Sequence, residues 1–303
     1  MSDARFTLPS YAKINLTLRV LGRRADGYHE LSTVFQTISL HDELTFRLRD
    51  DARFELACDA PGIPADETNL VHRAAVALRE RYGANRGASV ELCKKIPAGG
   101  GLGGGSSNAA IALVGLARLW KLETTPQALA EIGAGLGADV PFFLTGGTAL
   151  GTGRGTDIHS LADLAPKHLL LITPDINVST AEAYKSLHAP ALTKPLSPVN
   201  LAVSRAQAEI SGSPHALLEN DFERVVYRLY PEIERARSSL VAAGAGKALL
   251  SGSGASVFAL FDSLDERERA RGRLRVGANW QVFACTTLAR AAYEESFGAD
   301  KFL

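Results

Sequence analysis

The sequence predicts an α+β fold in two lobes with a cleft between them, and three observations lead there. Short segments alternate strictly between apolar and polar residues, as strands with one wet face do. Longer apolar stretches with helix-start and helix-stop residues lie among them. The mixed pattern then begins afresh near residue 156 of 303, which divides the chain into an N-terminal lobe, 1–155, and a C-terminal lobe, 156–303. A functional site is expected in the cleft, with the first lobe supplying a glycine-rich loop and the second completing the site.

In chain order, "AKINLTLRV" (12–20) sets Ala12, Ile14, Leu16, Leu18 and Val20 on one face and Lys13, Asn15, Thr17 and Arg19 on the other. It reads as a half-buried strand with Lys13 and Asn15 on its polar side. "ELTFRLR" (43–49) alternates likewise, and "ASVELC" (88–93) is a third strand. Between them "ETNLVHRAAVALRERYG" (67–83) is helical, with Thr68 as cap and Gly83 as stop. "NAAIALVGLARLW" (108–120) is apolar nearly all round, as a helix buried on most sides must be. "TPQALAEIGAGLG" (125–137) has Thr125 to cap it and Pro126 at its first position. The segment 138–155 runs into turns.

In the second half, "KHLLLITP" (167–174) is a buried strand and "AEAYKSL" (181–187) a short helix. The Pro-rich 190–200 is a surface loop. Residues 220–244 hold one helix interrupted by Pro231, or two. "KALLSGSGASVFALF" (247–261) is strand, glycine turn, strand; 265–275 is a solvated helix, and 280–288 a closing strand. No repeat has a fixed period.

Composition narrows the function classes. Lys plus Arg equals Asp plus Glu at 33 each, so no charge excess points to nucleic acid or an acidic membrane surface. The opening "MSDARFTLPS" has neither the basic nor the apolar region of a signal peptide, and no apolar stretch is long enough to span a bilayer. A cytoplasmic protein with no obligate protein partner is expected. Cys58, Cys93 and Cys285 are scattered and odd in number, which suits reduced thiols rather than a metal site.

The most concentrated signal is "PAGGGLGGGSSNAA" (97–110), with six glycines and two serines ahead of a buried helix. No lysine follows as in a P-loop, and no acidic residue ends a second strand as a dinucleotide fold requires. What remains is a glycine-rich loop opening a helix at Ser106-Ser107-Asn108. The bare N–H groups and positive dipole end of that helix favour an anion, and glycine lets phosphate oxygens approach the main chain. By itself the loop points to a phosphate and no further, and a bulky turn with a serine cap is the lesser alternative.

Three stretches resemble the three motifs of the GHMP kinases, the small-molecule kinases named after galactose, homoserine, mevalonate and phosphomevalonate. They are 9–31, "PSYAKINLTLRVLGRRADGYHEL"; the glycine loop; and 249–261, "LLSGSGASVFALF". They fall in the family's order and spread over the whole chain. The first two are most similar to the branch that phosphorylates a hydroxyl of a CDP-linked methylerythritol, a precursor in the non-mevalonate route to isoprenoids.

The resemblance implies a two-lobed GHMP kinase fold, ATP and Mg²⁺ as cofactors, and a role for each matching residue. Asp139, in "GADVPFF" (137–143), matches the catalytic carboxylate and Lys13 the lysine beside it. A carboxylate can accept the hydroxyl proton as the phosphoryl group moves, and an ammonium can hold that carboxylate ionised. Pro97, Gly99, Gly100, Gly101, Leu102, Gly103, Gly104, Gly105, Ser106 and Ser107 match the ATP-phosphate loop. Asn69 and Lys94 or Lys95 fall where the adenine-side contacts lie. Tyr28 and His29 of "DGYHEL" match the cytidine site, with Tyr184 as a second aromatic on the base, though a tyrosine packed on the core fits that position as well. Asn15 is expected to face the methylerythritol, and Gly252 and Gly254 to let the second lobe close on the site. No residue spacing identifies the Mg²⁺ ligands. A different small alcohol, of the homoserine or mevalonate type, and a non-catalytic nucleotide sensor on the same fold are the alternatives. The Tyr-His pair argues against the first, and the retained Lys13 and Asp139 against the second.

Overall fold

A computed structural model describes residues 5–192 and 218–298. Two long antiparallel strands, β1 (Arg5–Arg23) and β2 (His29–Arg49), organise the first sheet. The other edge of β2 is shared: β4 (Gly87–Cys93) pairs with its second half and β5 (Thr148–Gly153) with its first. β3 (Phe54–Cys58) runs parallel to β4, β6 (Asp157–Ser160) lies against β5, and the short β8 (Glu219–Asn220) joins the free edge of β1. Helices α1 (Leu70–Tyr82), α2 (Gly104–Trp120), α3 (Pro126–Leu136) and α4 (Val140–Thr145) belong to this lobe, and the first core fills the space between sheet and helices.

The second sheet is antiparallel throughout, in the order β11 (Trp280–Thr286), β7 (His168–Pro174), β10 (Val257–Phe261), β9 (Ala248–Leu250). α5 (Thr180–Leu187), α6 (Glu223–Leu229), α7 (Pro231–Ala242) and α8 (Leu264–Arg273) pack beside it. Pro231 does split 220–244 into two helices. After β11, α9 (Arg290–Glu295) carries the chain back, and Tyr293 and Phe297 enter the first core. With β6 and β8, it makes three segments beyond residue 156 that pack on the N-terminal side.

The alternation in 12–20 implies one wet face, yet both faces of β1 are buried there. Ala12, Ile14 and Leu16 pack on Leu169, Leu171, Leu249 and Phe258 of the second sheet. On the opposite side Lys13 and Asn15 are at most 3% exposed and line a cleft whose other walls come from both lobes, and a register shift between Asn15 and Thr17 brings Leu18 rather than Thr17 to its lining. Alternation reports residue chemistry, not burial.

Other differences are local. The cap of α1 is Asn69, whose Oδ1 accepts from Val71 N–H, rather than Thr68. Thr125 caps α3 and Pro126 opens it, as expected. α2 begins at Gly104, two residues ahead of the serines, with Gly103 as its cap and no side-chain cap bond. The segment 138–155 forms α4 and β5 rather than turns, because the first sheet supplies backbone partners for glycine-rich residues with little strand preference. The proposed surface loop 190–200 lies outside the described residues from 193 onward.

Candidate active site

The site starts from the polar face of β1. Lys13 Nζ donates to Asn15 Oδ1 at 2.8 Å, Asn15 Nδ2 to Thr33 Oγ1 at 2.7 Å, and Thr33 Oγ1 to the Thr17 carbonyl at 2.7 Å. Each donor feeds the next acceptor, so the chain has a single direction and fixes the asparagine flip. The ammonium also lies 5.5 Å from the Phe35 ring centroid.

The glycine loop is stitched to the same strand: Lys13 N–H donates to the Leu102 carbonyl at 3.0 Å. Its other side is held by the turn between β9 and β10. Ala255 N–H reaches Gly99 C=O, Ser256 N–H reaches Gly100 C=O, and Ser251 Oγ reaches Gly101 C=O. The backbones come so close that a Cβ at Gly101, with φ at +72°, would stand 2.2 Å from the Ser251 carbonyl oxygen. At Gly103, with φ at +71°, it would meet the Phe143 ring at 2.7 Å and Lys13 Cγ at 3.1 Å. The first intrahelical bond of α2 runs from Ser107 N–H to Gly103 C=O, so the amides of Gly104, Gly105 and Ser106 precede it. Three N–H groups at the positive end of a 17-residue helix suit an anion.

Asp139 closes this end. It occupies the cap position of α4 but makes no side-chain cap bond, which leaves its carboxylate to the cleft, 3.4 Å from Lys13 Nζ. Ser106 Oγ lies close by, 3.6 Å from where a Cβ of Gly137 would stand. Lys13, Asn15, Gly101, Gly103, Ser106 and Asp139 therefore line one cleft of about 960 Å³.

The far end of that cleft is aromatic. His29 and Tyr184 stack with ring centroids 4.7 Å apart, and Phe222 meets Tyr184 edge-on at 4.8 Å. Burial, with the nearby charge of Arg23, lowers the His29 pKa below its ordinary 6.5. Burial, with a smaller push from Asp139, raises the Tyr184 phenol to about 12. Tyr28 is 56% exposed at the rim, with the Arg154 guanidinium 4.8 Å from its ring. Its turn is shaped by Asp26, which accepts from Tyr28 N–H and pairs with Arg24; Arg24 in turn holds the buried Glu30.

The two lysines after β4 separate clearly. Lys95 points outward to Glu43, whereas Lys94 turns inward, its side chain 8% exposed and paired with buried Asp42. Asn69 spends its amide on the cap and on the Pro64 carbonyl, and its neighbour Leu70 lies against Gly105. Sequence reasoning missed Thr33, Arg154, Phe222 and Ser253, which also line the cleft. Arg154, between two glycines in "TGRGT", had a visible signal: a lone cation in a turn. Thr33 and Phe222 had none, since only folding brings them to β1 and α5.

Among the described residues no group of three His, Cys, Asp or Glu side chains could cage a metal ion, and Asp139 is the one carboxylate lining the cleft. No helix of the described residues is long and apolar enough to cross a membrane.

The family models for the GHMP kinase N-terminal and C-terminal domains match residues 69–147 and 205–278. A 4-diphosphocytidyl-2-C-methyl-D-erythritol kinase of Moorella thermoacetica is 44% identical over 89% of this chain and 94% of its own. A counterpart from Pelotomaculum thermopropionicum is 42% identical, over 87% and 92%. Among solved structures, a 4-(cytidine 5'-diphospho)-2C-methyl-D-erythritol kinase superposes with a TM-score of 0.74 at 35% identity, covering 93% of this chain and 99% of the other. With a buried lysine facing a cleft aspartate across a glycine-rich loop, and relatives this close over most of their length, the chain belongs to the 4-diphosphocytidyl-2-C-methyl-D-erythritol kinases of the GHMP kinase family.

Proposed function

We propose that this small-molecule kinase transfers the γ-phosphoryl group of ATP to a hydroxyl of 4-diphosphocytidyl-2-C-methyl-D-erythritol, with Asp139 as proton acceptor. The observation that carries the assignment is the Lys13–Asp139 pair at 3.4 Å, in one cleft with the glycine loop and the aromatic stack. As the new O–P bond forms and the bond to the bridging oxygen of the departing ADP breaks, the hydroxyl proton passes to the Asp139 carboxylate. Lys13 sits between that carboxylate and the hydroxyl-binding floor, where its charge favours the ionised base and offsets charge building on the phosphoryl oxygens. Asn15, held by Lys13 and Thr33, lines the cleft on the methylerythritol side.

The loop from Pro97 to Ser107 holds the triphosphate, chiefly through the amides of Gly104, Gly105 and Ser106. Asn69 and Lys94 border the adenosine side. Tyr28, His29 and Tyr184 read the cytidine, by stacking and by a neutral imidazole that both donates and accepts. Asp139, the one carboxylate among the residues lining the cleft, would be the side chain within reach of a Mg²⁺ ion accompanying the nucleotide. The ion would neutralise phosphate charge. The third motif, with Gly252 and Gly254, closes on the loop from the C-terminal side.

Purified protein given ATP and the CDP-linked substrate should release ADP, and CMP should compete. Homoserine and mevalonate should release none, because neither fills the aromatic end. Equal turnover of mevalonate would overturn the substrate assignment.

A further inference from the structure

A polar cluster of the first lobe adjoins the glycine loop, and of its members only Lys94 and Ser107 enter the reading above. Asp42, on β2, is fully buried, and both its oxygens are saturated. Oδ1 accepts from the backbone N–H groups of Lys95 at 2.7 Å and Ile96 at 2.8 Å. Oδ2 accepts from Lys94 Nζ at 2.5 Å and Asn108 Nδ2 at 2.9 Å. Asn108 also donates to Ser10 Oγ, which donates to Ser107 Oγ. Ser10 and Asp42 are register partners on β1 and β2, so their side chains share a face. One carboxylate thereby joins the sheet, the strand leading into the loop, and the second turn of α2.

Its placement of Lys94 is the unusual feature. A Cβ on Gly104, the first residue of α2, would stand 3.2 Å from Lys94 Nζ. A buried cation at the positive end of a helix is electrostatically disfavoured unless an anion compensates it. Asp42 is that anion. Of the three ammonium N–H donors, one goes to Asp42 and one, at 3.3 Å, to Asn108 Oδ1. The third has no partner among the described residues.

We infer that Asp42 is a positioning residue of the nucleotide site: it holds Lys94 beside the first turn of α2 with one donor left for an acceptor atom of the nucleotide. This rests on the reading that the glycine loop binds ATP. Asp42 itself touches no substrate; it acts through Lys94 and through the backbone of 95–96.

The test is a double-mutant cycle read by the affinity of a non-hydrolysable ATP analogue without acceptor, so that turnover does not enter. Lys94→Met should weaken binding about tenfold, the loss of one charge-assisted hydrogen bond. Asp42→Asn should weaken it at least as much, and should raise the KM for ATP while leaving the KM for the CDP-linked substrate unchanged. The double variant should bind no worse than the weaker single variant, because Lys94 is already out of place once Asp42 is neutralised. Should Asp42→Asn fail to fold, Asp42→Glu keeps the charge, shifts the ammonium, and enters the same cycle. Multiplying effects in the double variant, or Lys94→Met binding within twofold of the wild type, overturns the inference. A wild type that does not bind the analogue overturns the loop assignment itself, and this inference with it.

Discussion

At its glycine-loop end the cleft presents closely held main chain, and at its aromatic end it presents stacked side chains. The glycine loop is gripped between β1 and the β9–β10 turn so closely that Gly101 and Gly103 have no room for a Cβ. The aromatic end is a stack of His29 on Tyr184, backed edge-on by Phe222, with Tyr28 exposed beside it. The difference suits what each end must do. Phosphoryl transfer depends on in-line geometry to a fraction of an ångström, which backbone held from two sides provides. Recognising a flat base needs area and one or two hydrogen bonds, which aromatic rings provide. The stack is closed at 4.7 Å, so a base binds on its open faces or parts the rings.

Asp139→Asn tests the rigid end most severely. Turnover should fall between about 100- and 10,000-fold while both KM values stay near wild type. A loss of only a few-fold would remove Asp139 from the proton-transfer role. Gly101→Ala should come next, destabilising the protein by about 3 kcal/mol through the clash with Ser251 and the left-handed φ. Thermal unfolding measures this, and an unshifted midpoint would mean that the loop is not clamped as described.

At the aromatic end, Tyr184→Ala should raise the KM for the CDP-linked substrate about tenfold, as expected for one lost stacking partner, and leave the KM for ATP alone. An equal rise in both would mean that the two ends are not separate. The smallest effect concerns pH. The His29 pKa is lowered, so the imidazole is neutral at pH 7 and loses its acceptor nitrogen only as pH falls past the depressed value. Affinity for CMP should weaken on that acid side and be flat above it. The sign for stability is the same: the contribution is complete above the unfolded value near 6.5 and is lost as pH falls towards the folded one. His29→Gln should abolish the acid limb of the CMP titration.

Much of the rigid end was legible before folding, because it depends on residue types at fixed spacing within single segments. Glycine density, the Thr125-Pro126 helix start and the alternation in β1 are all local facts. The alternation nevertheless misled about burial, since no segment records what will cover it. Lys94 and Lys95 were indistinguishable in sequence; they turn opposite ways just after β4, and only the location of Asp42 tells which way is inward. The cap of α1 moved from Thr68 to its neighbour because either residue type can cap, and the loop before it selects Asn69 through the Pro64 carbonyl.

By itself the sequence determined the mixed architecture, the glycine loop and the helix behind it, because backbone preference and periodicity act over a few residues. Tertiary structure alone decided that Asp139 faces Lys13 across 126 positions of chain, that Arg154 and Phe222 border the same cleft, and that Asp42 adjoins the loop. Those pairings are set by how the second sheet packs against β1 and how α4 packs against α2 and α3, and such long-range contacts leave no periodic trace in the order of the residues.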